Sequence, residues 1–477
     1  MTSDWTSSPQ ANAMRTPSFG SVTRKEAPQI NAHPPFLHGL PDKNDTYLPQ
    51  QEITKALQSL IDTNQYQGNF VTAIGKVAAQ HINELKDIVT LDQFYFYVDA
   101  LVTWIPEVRV WEVQGNTLHE RTVYLRIVQF YYYFNQDTLQ MLQSPIAPGA
   151  GENLSPLSRW LRDFAAAWGA FLDTEASNKY LESFKYAPEY ALQDFFEPSG
   201  GYKTFNEFFA RTFDNIEEKR PVAQADDDRV IVFPAESTFV GQWTVSTASP
   251  PPLELKPSVV VKHIPWAIEE LLADSDYAAD FAGGRFCHSF LNTYDYHRLH
   301  TPVAGKVLEA RFVPGQVYLE VGIAESDGET VPNGDLANAV IPKRALDASD
   351  STGYQFVQCR GLLVLDNDKL GKVAVLPMGM AQVSSVVFTD PENDHAPIRL
   401  SEAESKGLSY DEHVSALNKK IADKVVGKTL SKGEMFSMFQ FGGSDCVVVF
   451  ERKANVNVTA QVGTHYPIRS QYAQANY

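Results

Sequence analysis

The sequence predicts an α+β protein, an N-terminal helical domain packed on a mostly antiparallel, β-rich domain. Three observations carry that reading. Apolar residues recur at helical spacing between about residues 50 and 195. After about residue 228, short runs of Val, Ile, Phe and Tyr alternate with Gly, Pro and Asn. A chain of 477 residues is long enough for two or three domains at roughly 150 residues each.

Residues 1–48 are rich in Ser, Pro, Asn and Thr without a period of 2 or 3.6, which predicts a flexible tail closing on Pro34, Pro35 and Pro41. A helical domain follows over 49–195. Ile53, Ala56, Leu57, Leu60 and Ile61 mark one helix face, and Leu157, Trp160, Leu161, Phe164, Trp168, Phe171 and Leu172 mark a stronger one. Between them, residues 124–141 carry the aromatic run Tyr131, Tyr132, Tyr133 and Phe134. A nucleic-acid stacking platform would look similar, but in an acidic chain the run reads as a buried helix face.

Residues 196–477 form the β-rich domain. Strands are expected at 229–233, 239–245, 303–313, 316–323, 361–365, 372–376, 383–388 and 446–450. Helices are expected at 265–273 and 413–424, and the polar, unperiodic stretch 390–409 reads as a surface insertion. There is no internal repeat of fixed period.

Composition narrows the function classes. Apolar residues make up 44% and charged residues 21%, enough to build a core. The net charge of −18 repels phosphate backbones and anionic leaflets, so neither nucleic-acid binding nor polybasic membrane docking is expected. Cys287, Cys359 and Cys446 are too few and scattered for a disulfide framework or a CxxC metal site, which points to a reducing, cytoplasmic setting. The first 27 residues lack a secretory apolar core, and no stretch of ~20 apolar residues supports integral membrane association.

Three segments carry reactive residue types. Tyr294-Asp295-Tyr296-His297-Arg298-Leu299-His300-Thr301-Pro302 holds two histidines three apart. Such a pair serves a metal, acid–base chemistry or a core hydrogen bond; no third ligand of HExxH or CxxC type accompanies it, so no metal is expected. Phe233-Pro234-Ala235-Glu236-Ser237 ends a strand with a carboxylate, either a solvated turn residue or one that orients a histidine. Phe441-Gly442-Gly443-Ser444-Asp445 is either a plain hairpin turn or a backbone bend that brings a hydroxyl to the preceding carbonyl carbon.

Taken together, these segments resemble the phosphatidylserine decarboxylase family, whose members cleave themselves and carry a pyruvoyl group. Phe205-Asn206-Glu207-Phe208-Phe209-Ala210-Arg211 with Arg220-Pro221 is similar to the family's FxxFFxR…RP signature. Pro234-Ala235-Glu236-Ser237 aligns with SPxDG, and Asp295 to Pro302 matches DYHRxHxP. Lys432-Gly433-Glu434-Met435, then Phe441-Gly442-Gly443-Ser444, matches KGxEMGxFxxGS. The resemblance covers about residues 203–452.

It implies a zymogen that cleaves between Gly443 and Ser444. Glu236 orients His300, His300 takes the proton of Ser444, and Ser444 attacks the Gly443 carbonyl. β-Elimination and hydrolysis then leave a covalent pyruvoyl cofactor at position 444, with a β chain of residues 1–443 and an α chain of 34 residues. The ketone forms a Schiff base with a substrate amine and accepts the electron pair released with CO₂. His297 protonates the carbanion or orients the carboxylate. Relatives form dimers, which by analogy implies a homodimer.

The departures from the family pattern are informative. Glu236 stands where Asp is usual, Ser237 where Gly is usual, and Asp445 where Thr is common. No hydrophobic anchor precedes the matched region, and Trp168-Gly169-Ala170-Phe171-Leu172 is similar to the soluble L-tryptophan decarboxylase branch, which also carries Glu at position 236. The expected substrate is therefore a free L-amino acid, aromatic and tryptophan-like. The alternatives are phosphatidylserine and, from another class, an uncleaved, non-enzymatic scaffold.

Overall fold

A computed structural model describes residues 34–477, apart from 83, 114–115, 121, 149–152, 248–257, 262–263, 326–343, 349–355 and 381–385; for some strand residues, Gly443 and Ser444 among them, only the backbone is described. Five helices of twelve residues or more dominate the described N-terminal part: α1 (Glu52–Asn64), α2 (Gln67–Ala78), α3 (Leu91–Val102), α4 (Thr122–Phe134) and α5 (Pro156–Leu172). In α1 the expected face narrows to Leu57 and Ile61, with Ala56 exposed. Helix α5 begins at a Ser155 cap with Pro156 in its first turn, and it buries Leu157, Trp160, Leu161, Phe164, Trp168 and Leu172.

Helix α4 is buried almost all round, as a helix apolar on every side must be. Phe130 stacks on Phe164 at 4.4 Å between ring centroids. The aromatic run is therefore core. Residues 34–48 belong to the segment expected as flexible tail, yet here Phe36, Leu37, Leu40 and Tyr47 pack on the core, and Tyr47 Oη donates to Asp99 at 2.8 Å. The remainder of that segment, 1–33, lies outside the described residues. The hairpin Arg109–Val113 with Asn116–Glu120 interrupts the helices, and the Gly115-Asn116 pair in the sequence is the turn signal that the helical reading passed over.

Twelve strands make the two larger sheets of the β-rich part: β1 (Ser237–Thr244), β2 (Arg285–Leu291), β3 (Arg298–His300), β4 (Gly305–Val313), β5 (Arg360–Asn367), β6 (Gly371–Met380), β7 (Val386–Asp390), β8 (Ala396–Pro397), β9 (Thr429–Leu430), β10 (Met435–Phe439), β11 (Gly443–Phe450) and β12 (His465–Tyr466). An eight-stranded antiparallel sheet runs β9-β4-β5-β6-β11-β2-β1-β12, and a four-stranded one runs β8-β7-β10-β3. Strand β11 lies inside the large sheet because Cys446-Val447-Val448-Val449-Phe450 is buried on both faces, and a continuous apolar run suits that position. A small sheet joins Val456–Val458, Gln471–Ala475 and Val230–Val232.

Three local expectations are corrected. The helix expected at 265–273 is a strand, Ile264–Ala267, followed by one helical turn, Ile268–Leu271; Pro265 holds the residue before it extended and cannot donate within a helix. The strand expected at 316–323 is regular only over Val321–Glu325, which pairs with Arg344–Ala348, while Gln316 makes a single parallel bridge to Gln358. Residues 383–385 of another expected strand lie outside the described residues. The stretch 390–409, expected as a surface insertion, instead begins in the sheet, with β8 paired to β7 and Asp390 and Ile398 buried, and only then runs exposed through one helical turn, Glu402–Ser405.

Trp168 ties the two parts together. It is fully buried and meets Phe441 edge-on at 5.3 Å, with Trp104 and Phe164 on its other sides. Trp168→Ala is expected to lower stability by about 3–5 kcal/mol through the cavity it leaves. Denaturant unfolding checks this, and a loss under about 1 kcal/mol would show that the contact is incidental.

Candidate active site

The connection from β10 to β11 organises the site. Strand β10 pairs with β3, placing Met435 opposite His300 and Met438 opposite Arg298. The Phe439 N–H donates to the His297 carbonyl at 2.8 Å. After Gln440, Phe441 and Gly442 the chain enters β11, where Ser444 stands opposite Gly379 on one side and Leu291 on the other. One short connection thus links the strand beside the histidine pair to the Gly443–Ser444 bond.

The segment from Phe205 to Arg211 braces that connection. Its helix α6 (Phe205–Phe209) starts at a Thr204 cap. Asn206 Oδ1 accepts from the Phe441 N–H at 3.0 Å, and its Nδ2 donates to the Gly169 carbonyl and to Asp173, both at 3.1 Å. The Phe209 ring stacks on His297 at 3.9 Å. Arg211 donates to the Tyr294 carbonyl at 2.6 Å, and Arg298 donates to the Ala210 carbonyl at 2.7 Å. These residues hold the backbone on either side of the histidines, a scaffold that motif matching alone does not reveal.

His300 is buried, with Nδ1 2.7 Å from the Gly433 carbonyl and Nε2 3.2 Å from the Tyr296 hydroxyl. A carbonyl can only accept, so the short contact assigns the proton to Nδ1 and leaves Nε2 with its lone pair. Burial, aided by the Arg469 charge, pushes the imidazole pKa down to about 3. The ring is therefore a neutral base across ordinary pH. His297 is fully buried between Phe209 and Phe439, and among the described residues neither ring nitrogen has a partner. Burial first, then Arg211, holds its pKa well below the usual imidazole range.

Glu236 is placed differently from the expectation that it orients His300. The two segments do meet, since the His300 N–H donates to the Pro234 carbonyl at 2.9 Å. The Glu236 carboxylate, however, closes bidentately on Arg220 at 2.7 and 2.8 Å. The groups on the His300 ring are Gly433, Tyr296 and Arg469 instead. Sequence reasoning assigned none of these three a role at the ring. Tyr296 and Gly433 lay within quoted motifs, whereas Arg469 carries no local signal at all.

Two further pairs, each built on a buried aspartate, flank the site. Asp295 accepts from the Asn292 N–H at 2.7 Å and meets His465 at 3.0 Å. Burial raises the Asp295 pKa; burial also opposes charge on His465, but the Asp295 contact outweighs it and holds His465 above its usual value. Asp445, next to Ser444, meets His288 on β2 at 3.2 Å. Among the described residues no three His, Cys, Asp or Glu side chains converge as metal ligands would, and no helix is long and apolar enough to cross a membrane.

Comparison with known proteins adds an independent finding. A family model described as phosphatidylserine decarboxylase matches residues 205–474. Phosphatidylserine decarboxylase proenzyme 3 of Schizosaccharomyces pombe is 26% identical over 297 residues, 62% of this chain and 24% of its own length. Decarboxylase iboD of Amanita muscaria is 25% identical over 333 residues, 65% of this chain and 82% of its own. L-tryptophan decarboxylase of Psilocybe cubensis is 24% identical over 198 residues, 42% of each. The match thus spans only about a quarter of the fission-yeast relative.

Proposed function

The chain belongs to the phosphatidylserine decarboxylase family, and from that premise we propose that it cleaves itself between Gly443 and Ser444 and decarboxylates a free L-amino acid, aromatic and tryptophan-like, in the cytoplasm. The observation that carries the reading is the neutral, buried His300, whose Nδ1–H is committed to Gly433 and whose Nε2 keeps a lone pair. His300 Nε2 takes the Ser444 hydroxyl proton as Oγ bonds to the Gly443 carbonyl carbon and the peptide C–N bond breaks in its favour. The new ester leaves by elimination across Cα–Cβ of residue 444, and water releases the nitrogen as ammonia.

The surroundings suit a pyruvoyl group: a strand backbone fixes position 444, and His297, on the segment paired with the preceding strand, has ring nitrogens that no described side chain takes. When present, that group supplies a ketone able to take up the electron pair freed with CO₂. His297 holds the substrate carboxylate through its one ring N–H and then relays a proton to the carbon the carboxylate leaves, its other nitrogen taking one from water as the N–H is given up. Arg220 holds Glu236 in place beside the Pro234 turn. Residues 196–477 form the catalytic domain in this reading.

His297→Ala is expected to cleave normally but to decarboxylate about 10²–10⁴-fold more slowly. Gel analysis alongside CO₂ release separates the two activities; a variant that stays uncleaved would move His297 into the cleavage step.

The named L-tryptophan decarboxylase relative and the net charge of −18 favour a free amino acid over an anionic bilayer. Phosphatidylserine is the second reading, favoured by the fission-yeast relative's name. Purified protein incubated with L-tryptophan, other aromatic amino acids and phosphatidylserine vesicles distinguishes the two. CO₂ from an aromatic amino acid is expected; CO₂ from vesicles alone would reverse the order.

A further inference from the structure

Arg469 reaches His300 from the segment that self-cleavage would separate from the rest of the chain. Its backbone stands at φ 65°, a conformation non-glycine residues adopt only when the surroundings impose it. The surroundings do so here. The Arg469 N–H donates to the Phe233 carbonyl and its carbonyl accepts from the Ala223 N–H, both at 3.0 Å. The side chain is 8% exposed. Its Nε lies 2.9 Å from the Gly433 carbonyl and 3.3 Å from His300 Nδ1, and its Nη1 donates to Glu217 at 2.7 Å.

The Gly433 carbonyl therefore accepts from two donors, Arg469 Nε–H and His300 Nδ1–H. Its own position depends on glycine: φ is +78°, and a Cβ would stand 2.6 Å from Val222 Cγ2. The 2.7 Å contact from Nδ1 to this carbonyl is much shorter than the 3.3 Å contact from Nδ1 to Arg469. The shorter one sets the tautomer, and the arginine N–H turns to the same carbonyl.

We propose that Arg469 is a positioning residue for His300: it anchors the Gly433 carbonyl as acceptor for Nδ1–H, and its charge opposes a second proton on the ring, so that Nε2 keeps the lone pair that the Tyr296 hydroxyl meets here and that the Ser444 hydroxyl would use. Burial and the Arg469 charge both act to keep the ring neutral. The other ionisable groups facing it are Tyr296 at Nε2, with Arg298 and His395 beyond. Glu217 balances Arg469, and Glu236 is occupied by Arg220. After cleavage the α chain would still carry this contact, so the small fragment contributes to the site more than residue 444.

The inference rests on His300 as the base of self-cleavage. Its test follows conversion of freshly translated full-length precursor to fragments on a denaturing gel from pH 3 to 9, for wild type, Arg469→Gln and Arg469→Lys. Arg469→Gln is expected to cleave about tenfold more slowly at neutral pH, with the acid limb of its profile about one pH unit higher. Arg469→Lys keeps the charge but loses the fork, so it slows several-fold with the limb in place. Wild-type rate and limb in a folded Arg469→Gln would overturn the proposal. Should that variant lose its cooperative melt, Arg469→Lys decides: a wild-type rate overturns it and a several-fold loss supports it. Failure of the wild type itself to cleave would instead refute the self-processing reading.

Discussion

Ser444→Ala is expected to accumulate as one band at the full 53 kDa, with no fragment of 34 residues and no decarboxylase activity on any substrate. Alanine keeps the backbone that β11 needs, so its pairing with β6 and β2 survives. What it removes is the hydroxyl proposed to attack the Gly443 carbonyl, and with it the leaving group whose elimination opens the way to a ketone. Loss of a nucleophile costs more than about 10⁴-fold where base and oxyanion stabilisation act on it together. Intact mass and a gel suffice to read the outcome. A variant that still releases the fragment would place the break elsewhere.

His300→Ala is the second large effect. Removing Nε2 removes the proton acceptor, and a loss of about 10²–10⁴-fold in the cleavage rate is expected. The Tyr296 hydroxyl also loses its ring partner inside the protein, a burden of about 1–3 kcal/mol that a melting curve measures separately. The pH dependence of stability carries a second signature. His300 is neutral when folded, with its pKa pushed down to about 3, whereas an unfolded histidine titrates near 6.5. The unfolded chain therefore binds the extra proton first. The contribution is complete above pH ~6.5 and is lost at about 1.4 kcal/mol per pH unit as pH falls from there towards 3. His300→Ala should consequently flatten the acid side of the stability profile while slowing cleavage. A variant that matures at the normal rate would show that another group is the base.

The sequence disclosed elements whose signals are local. The spacing from Leu157 to Leu172 is one helix face, and α5 buries that face. The run from Cys446 to Phe450 is apolar throughout, and β11 occupies an interior position in the large sheet. Less legible were β2, β3 and β10, where His, Ser and Arg break the apolar run. Their polar side chains find partners only across strands, as His288 does with Asp445. The environment of His300 was hidden for the same reason. Its ring partners Gly433 and Arg469 lie 133 and 169 residues away in the chain, and Arg469 sits in a polar C-terminal stretch without period or motif. The sequence placed a carboxylate near the histidine but not the arginine that takes it: Glu236 is 16 residues from Arg220 and binds it bidentately.

Mass spectrometry of the purified wild-type protein, with and without hydroxylamine, tests the central claim most directly. The account predicts two chains, the smaller starting at residue 444 with a blocked, carbonyl-bearing end that hydroxylamine converts to an oxime. A single unbroken chain with an unmodified serine at 444 and no hydroxylamine adduct would contradict it.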